Sequence, residues 1–467
     1  MIYYKLNSYV FVRQINNYLQ IVDKRDDSEL IGDYTSYLFV KYLGYNPSEI
    51  DCIVNQIQGE FSGEVDVSIV KNDAIRLFDR LTDFGLVSKC NQKDGFAEEC
   101  SKKTEKQKIL LSDNDFQLFK EQLKKHPQLL NIIVEITQQC NERCVHCYIP
   151  HENKRKIMSD DVFYKIVDEC AEMQTVVNFK ITGGECMTHP SFKKFVKYVK
   201  DKGFALSVLT NLTLLDDETV DILKQGTLSN VQISMFSVNA EIHDKITNLR
   251  GSLERTLKNV EKLRQAGIPV SIATQAMEIN KDEIEGLFQY ANGHNCNLRC
   301  DWTIIAKEDR NSENLSYRIC DLQNYKRICK TRLKYTVGYA DELRKDLSRE
   351  PKPETTHLCN AGTNGLYIDT TLKVHPCPGW DLTVGDLNEE SLSHIWQNSA
   401  TLQKVRDVVL KDFPKCAKCG IRNLCSICMA QADIEMTANN FTFEMPEYMC
   451  NMYRIIYDTI QKEVLEK

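Results

Sequence analysis

From residue 131 onward, short apolar runs alternate with stretches whose apolar positions recur every three or four residues. The runs Asn131–Thr137, Val176–Thr182, Ala205–Thr210, Asn230–Ser234, Pro269–Thr274 and Leu298–Thr303 predict buried strands. Helical periodicity covers about Asp160–Met173, Ser191–Lys202, Asp217–Gln225, Ser252–Ala266 and Asp282–Asn292. Apolar strands alternating with amphipathic helices imply a parallel sheet covered by helices, hence an α/β fold. Six such units fit a partial (β/α)6 barrel of the TIM type.

The first 90 residues follow a different pattern. Tyr9–Ile15 and Tyr18–Asp23 alternate apolar and polar positions around Asn16–Asn17, which predicts a hairpin, and Glu29–Ile31 offers a third strand. Helices are predicted over about Asp33–Tyr42, Ser48–Gln58 and Val70–Phe84, stopped by Gly85. Three strands and then three helices make a small winged-helix-like α+β unit. Residues 91–130 read as a polar, lysine-rich linker holding an isolated thiol, Cys100, and a short helix capped by Ser112 or Asp113. Residues 306–356 are charged and mostly helical, and Cys320 and Cys329, nine apart, fall on different faces if both lie in one helix. A strand pair, Gly365–Ile368 and Lys373–His375, opens the C-terminal region. The expected units are 1–90, a linker 91–130, a barrel 131–340 and a cysteine-rich domain 341–467.

Charge and composition narrow the function. The net charge of −7 argues against broad nucleic-acid or anionic-membrane binding. Residues 1–90 hold 9 Lys and Arg against 13 Asp and Glu, so this winged-helix pattern is a poor phosphate reader. No apolar run approaches the roughly 18 residues that span a bilayer, and the N-terminus lacks a basic-then-apolar signal pattern, so a cytoplasmic location is expected. Nineteen cysteines without a secretion signal point to metal ligation or catalysis rather than disulfides.

Ten of those cysteines are grouped. Cys140, Cys144 and Cys147 stand in C-x3-C-x2-C spacing on a loop after the first barrel strand. Three thiolates this close hold three corners of a 4Fe–4S cube and leave one iron open for chemistry; a zinc knuckle or three buried thiols are the alternatives. After the second strand comes Thr182-Gly183-Gly184-Glu185, where paired glycines admit close approach and leave carbonyls and a carboxylate for an ammonium group. Asn211 follows the third strand and Ser234 ends the fourth. Cys359, Cys377, Cys416, Cys419, Cys425, Cys428 and Cys450 form the second group, with C-x2-C-x5-C-x2-C at its centre, a metal-cage spacing for which zinc is the alternative.

The first loop resembles the signature of the radical S-adenosylmethionine (radical SAM) enzymes, C-x3-C-x-aromatic-C, with His146 at the aromatic position. The resemblance implies a partial barrel, with Cys140, Cys144 and Cys147 on the catalytic cluster. It also implies Gly183, Gly184 and Glu185 as the GGE motif that holds the methionine amino group. His146, Asn211 and Ser234 would lie near the cofactor. Cys186 stands where the family often has proline. Where the family shows HDxxR, this chain has His243-Asp244 with Thr247 at the arginine position, so Lys245 or Arg250 would have to meet the cofactor carboxylate. His243 and Asp244 themselves read as helix-start and packing residues.

The seven later cysteines resemble the SPASM extension, which binds two auxiliary 4Fe–4S clusters. Carried over by position, Cys416, Cys419, Cys425 and Cys450 would hold the outer cluster, and Cys359, Cys377 and Cys428 the inner one. Cys329, Cys320 or His357 is the candidate fourth inner ligand, unless that iron is open. Two departures affect the local turns: the last pair is C-x2-C rather than C-x3-C, and Leu372 replaces a family glycine. The order of elements in 1–90 is similar to the peptide-recognition element of peptide-modifying enzymes, in which a leader peptide adds a strand to a sheet edge.

Together the resemblances imply AdoMet, three 4Fe–4S clusters, a precursor peptide and a reductant such as flavodoxin or ferredoxin. The leading expectation is oxidative thioether formation on a ribosomally made peptide. Carbon–carbon crosslinking, epimerisation and formylglycine formation are the enzymatic alternatives, and an iron–sulfur DNA-binding sensor the non-enzymatic one.

Overall fold

The structure, a computed structural model, describes residues 2–96 and 127–465 apart from 16–17, 24–27, 62–64, 151–154, 174, 226–228 and 437–440. The Asn16–Asn17 turn, Cys100 and the Ser112 or Asp113 cap lie outside the described residues.

The N-terminal unit holds two small sheets rather than one. β1 (Tyr3–Leu6) precedes an antiparallel meander of β2 (Val10–Ile15), β3 (Tyr18–Asp23) and β4 (Ser28–Asp33), in which β4 is an edge. Three helices follow, Tyr34–Val40, Ile50–Glu60 and Val67–Asp83. Asp33 caps the first by accepting from the Ser36 amide at 2.7 Å, and Asp66 caps the third the same way. β5 (Ser48–Glu49) and β6 (Val87–Cys90) flank β1 in a second antiparallel sheet. These strands, of two to four residues, are too short to show a period of their own. Tyr4, Ile53 and Phe78 fill the core between the helices and β1.

The six expected barrel strands form, within a few residues of their expected bounds. They are β7 (Asn131–Glu135), β8 (Asn178–Thr182), β9 (Ala205–Thr210), β10 (Ser229–Ser234), β11 (Val270–Gln275) and β12 (Asn297–Asp301), all parallel and in spatial order 12-11-10-9-8-7. The five expected helices cover them, and a sixth, Ala240–Thr247, starts at Asn239, whose side chain accepts from the Glu241 amide. Beyond β7 the sheet continues. β13 (Gly365–Ile368) pairs parallel to β7, and β14 (Lys373–His375) and β15 (Gly385–Asp386) follow antiparallel, so one nine-stranded sheet joins barrel and cysteine-rich region. Ile132 and Val134 of β7 share a single buried core with Leu366 and Ile368 of β13. The turn between β13 and β14 puts Leu372 at φ +68°, the left-handed conformation that glycine adopts without steric cost.

Cys320 and Cys329 do not share a helix, so the condition attached to their spacing does not arise. Cys329 is buried in the helix Asn324–Tyr335, whereas Cys320 is exposed ahead of it, its amide donating to Glu278 at 2.9 Å. The N-terminal unit meets the barrel where Phe11 and Val22 bury against Val177 and Ala205. Among the described residues no helix is long and apolar enough to cross a membrane.

Candidate active site

The Cys140–Cys147 loop leaves the C-terminal end of β7, where parallel sheets gather their functional groups. Its backbone is tied on both sides. The Arg143 and Val145 amides donate to the carbonyls of Thr247 and Ile246, each at 2.9 Å, at the end of the helix Ala240–Thr247. The Gly184 and Glu185 amides donate to Thr137 and Gln139, each at 2.8 Å. Burial, then the nearby Glu142, Cys147 and Cys140, push the Cys144 thiol well above its ordinary value. Thiolates packed this way need a compensating cationic centre, which an iron–sulfur cluster supplies.

The two glycines are required by contact. A Cβ on Gly183 would lie 2.5 Å from the Thr137 carbonyl oxygen, and one on Gly184 would lie 2.6 Å from the carbonyl oxygens of both Gln138 and Gln139. These neighbours are backbone of the cysteine loop and cannot swing aside. Gly184→Ala is therefore expected to cost about 2 kcal/mol or more and to lower iron incorporation at Cys140, checked by thermal melting and iron content of the reconstituted protein. The Gln138 side-chain oxygen is buried with no donor among the described residues, an acceptor that suits an ammonium group. The site thus fits a three-cysteine cluster with an amino-acid end docked beside it.

Several expected contacts are committed elsewhere. Glu185 is fully buried; its two oxygens accept from Thr210 Oγ1 at 2.7 Å, the Met187 amide at 3.0 Å and the Asn211 amide at 2.6 Å. It braces β8 to β9 rather than offering an open carboxylate. Asn211 is also internal: its Nδ2 donates to Asn141 at 2.9 Å, steadying the residue after Cys140. Cys186 stands in for the family proline as a core residue, its thiol reaching the Leu209 carbonyl at 3.4 Å. Ser234 is half-buried at the end of β10, and the His146 ring sits edge-on to Phe236 with centroids 4.6 Å apart. His243 is buried and accepts from the Phe236 amide, and burial lowers its pKa to about 4. Asp244 accepts from Gly251 and Leu253 at the start of the next helix. Thr247 is buried, and Lys245 and Arg250 are exposed.

The later cysteines fall into two groups, and chain order does not separate them. Cys425 senses Cys416, Cys450 and Cys419, and Cys416 senses Cys450 and Cys419; burial first and these neighbours next push Cys425 to about 12 and Cys416 to about 11. Cys377 senses Cys428 and Cys359, and Cys359 senses Cys428. Cys428 thus groups with residues 50 or more positions away, not with Cys425. The charges that act most on Cys329 are Arg332, Glu463 and Lys330, with no cysteine among them. Among the described residues no three His, Cys, Asp or Glu side chains converge closely enough for one metal ion.

Between the first loop and the β13–β14 hairpin lies a group of titratable side chains that sequence reasoning missed. Tyr148 senses Glu135, Glu308, Cys147 and Cys377, so it stands between the first loop and the three-cysteine group. Burial pushes both Glu135, which accepts from the Thr370 amide at 3.1 Å, and Glu308 up to about 7. A carboxyl raised on folding favours the native state while protonated, fully below its ordinary value, and loses that contribution as pH rises through the raised one. Glu135→Gln is therefore expected to flatten the fall in melting temperature between about pH 5 and about pH 8, read by calorimetry; an unchanged slope would remove Glu135 as a source.

A cavity of about 780 Å³ is lined by His146 and Tyr148 of the first loop, Trp302 and Arg332 of the barrel, and Cys428 of the three-cysteine group. The volume suits a short peptide segment or a comparable small molecule.

Comparison with known proteins bears on these features. Residues 134–291 match the model of the radical SAM superfamily, and residues 359–420 match SPASM, the iron-sulfur cluster-binding domain. The AdoMet-dependent heme synthase of Methanosarcina barkeri is 26% identical over 64% of this chain and 90% of its own. The antilisterial bacteriocin subtilosin biosynthesis protein AlbA of Bacillus subtilis is 27% identical over 65% of this chain and 67% of its own. Streptococcus suis SuiB, solved with its precursor peptide SuiA, superposes over 96% of this chain and 99% of its own with a TM-score of 0.63 at 16% identity, a likeness of fold.

Proposed function

We propose that this radical SAM enzyme, with its SPASM iron–sulfur domain, matures a ribosomally made peptide by joining a cysteine sulfur to a carbon in an oxidative thioether crosslink. The observation that carries the reading is the shared cavity. Cys428 of the three-cysteine group lines the same space as His146 and Tyr148 of the first loop. A cluster on Cys359, Cys377 and Cys428 with one open iron would take the substrate thiolate within that space. The cofactor set is AdoMet with three 4Fe–4S clusters, on Cys140, Cys144 and Cys147, on the three-cysteine group, and on Cys416, Cys419, Cys425 and Cys450. When bound and reduced, the first cluster with AdoMet supplies a carbon-centred radical that takes a hydrogen atom from an unactivated carbon.

The chain's own residues position the substrate and exclude water from the cavity. The edge strand β4 leaves a place where a leader can add a strand. Beside it a groove lined by Ser36 and Phe39 on one helix and Arg76, Leu77 and Arg80 on another can take leader side chains. A flavodoxin or ferredoxin would deliver electrons, and the setting would be the cytoplasm.

Relatives with peptide-maturation names, AlbA and the sporulation killing factor maturation protein SkfB, support this reading. The heme synthase likeness supports a tetrapyrrole substrate as a second one. Anaerobic turnover with a candidate precursor discriminates between products. Loss of two hydrogens with loss of one alkylatable thiol fits a thioether; loss of two hydrogens with all thiols intact fits a carbon–carbon bond. An unchanged mass with an inverted centre fits epimerisation. Turnover of an iron porphyrin but no peptide would sink the proposal, and a DNA gel shift without AdoMet would favour a sensor.

A further inference from the structure

The cavity wall carries an arginine, Arg332, that makes no ion pair among the described residues. Arg332 projects from the helix Asn324–Tyr335, and its guanidinium lies 5.3 Å from the ring centroid of Trp302 and 4.5 Å from that of Tyr339. Two aromatic faces hold the planar fork in place. The wall also contains two carboxylates, but both are engaged: Asp301 pairs with Arg299 at 3.0 Å and Asp346 with Arg349 at 2.7 Å. Among the described residues no carboxylate or carbonyl accepts from the Arg332 guanidinium. A pre-oriented fork with five donors and no acceptor is built for a planar anion, and a carboxylate matches its two parallel N–H groups.

We propose that Arg332 is a specificity residue that binds a carboxylate on the core peptide, an Asp or Glu side chain close to the modified position. The assignment rests on the reading of the cavity as a peptide site. The cofactor's own carboxylate is the poorer partner. Trp302 follows β12, four strands away from the Gly183–Gly184 turn after β8, where the amino-acid end of AdoMet would dock. Held by Arg332, an acidic side chain would fix the register of the peptide between the first loop and Cys428, and so choose which carbon meets the radical.

The test uses the full-length, anaerobically reconstituted holoenzyme with two capped six-residue peptides, each with one Cys. One carries an Asp and its twin an Asn at the same place. Dissociation constants are read by titration calorimetry for wild type, Arg332→Gln and Arg332→Lys. Wild type should prefer the Asp peptide by about tenfold or more, Arg332→Gln should bind the twins alike, and Arg332→Lys should keep part of the preference. AdoMet affinity should be the same in all three. Equal binding of the twins by wild type overturns the proposal without needing any variant. So does a preference that survives in Arg332→Gln, and so does loss of AdoMet affinity there, which would give the arginine to the cofactor. Binding of neither peptide to wild type overturns this assignment alone, because the peptide reading places capture on the leader at β4 and is tested separately by turnover of a whole precursor.

Discussion

Cys144→Ala is expected to abolish AdoMet cleavage, with 5′-deoxyadenosine release under dithionite falling by at least about a thousandfold. On the proposed assignment Cys140, Cys144 and Cys147 would act as one unit, so losing one thiolate would leave two ligands for a cluster that needs three. Cys144 is the informative choice because its surroundings are described: its thiol reaches Glu142 at 3.5 Å, and it packs against the buried patch of Phe236, Met277 and Ile304. Alanine fits that space, so the melting temperature should move little while about four irons per chain are lost. The observation that would sink the assignment is a Cys144→Ala protein that keeps its iron and still cleaves AdoMet.

The second large effect separates hydrogen abstraction from bond formation. Cys428→Ala should still release 5′-deoxyadenosine but yield no crosslinked peptide, because the proposed open iron for the substrate thiolate would be gone. Iron counts test the grouping independently of activity. Cys359→Ala, Cys428→Ala and the double variant should each lose the same complement, about four irons, whereas Cys428→Ala with Cys416→Ala should lose about eight. A Cys428→Ala protein whose loss merges with that of Cys425→Ala would show that chain proximity, and not the fold, decides the ligand sets.

The sequence is most readable where a local pattern and a tertiary role coincide. The barrel strands are apolar because both faces are covered, so β7 to β12 were visible as runs, and the β13–β14 hairpin was visible as a pair. The strands β1, β5 and β6 were not, since two to four residues make no period and their pairing partners lie up to 80 or more positions away. The same limit applies to the site. The cysteine spacing, the paired glycines and Leu372 in the place of a glycine are local marks, and the left-handed φ at Leu372 shows that the turn keeps its shape despite the substitution. Glu185 reads as an open acceptor in the sequence because two of its donors, the Thr210 hydroxyl and the Asn211 amide, come from the end of β9, some 25 positions on. The juxtaposition of Tyr148, Glu135 and Glu308, and the place of Arg332 between two rings, join segments that nothing in their immediate neighbours connects.

The seating of Phe11 and Val22 on Val177 and Ala205 has a consequence for the cargo. Ala205 begins β9 and Val177 immediately precedes β8, so the N-terminal unit touches the barrel at the strand beginnings, while the cysteine loop lies at the strand ends. If the precursor anchors on β4 as proposed, it would have to run the height of the barrel before its core arrives. Strands of five or six residues at about 3.3 Å each make that height roughly 17–20 Å, so the tether between anchor and core needs at least about six extended residues, and more along a curved path. A precursor with a shorter spacer would still be captured but would leave unmodified.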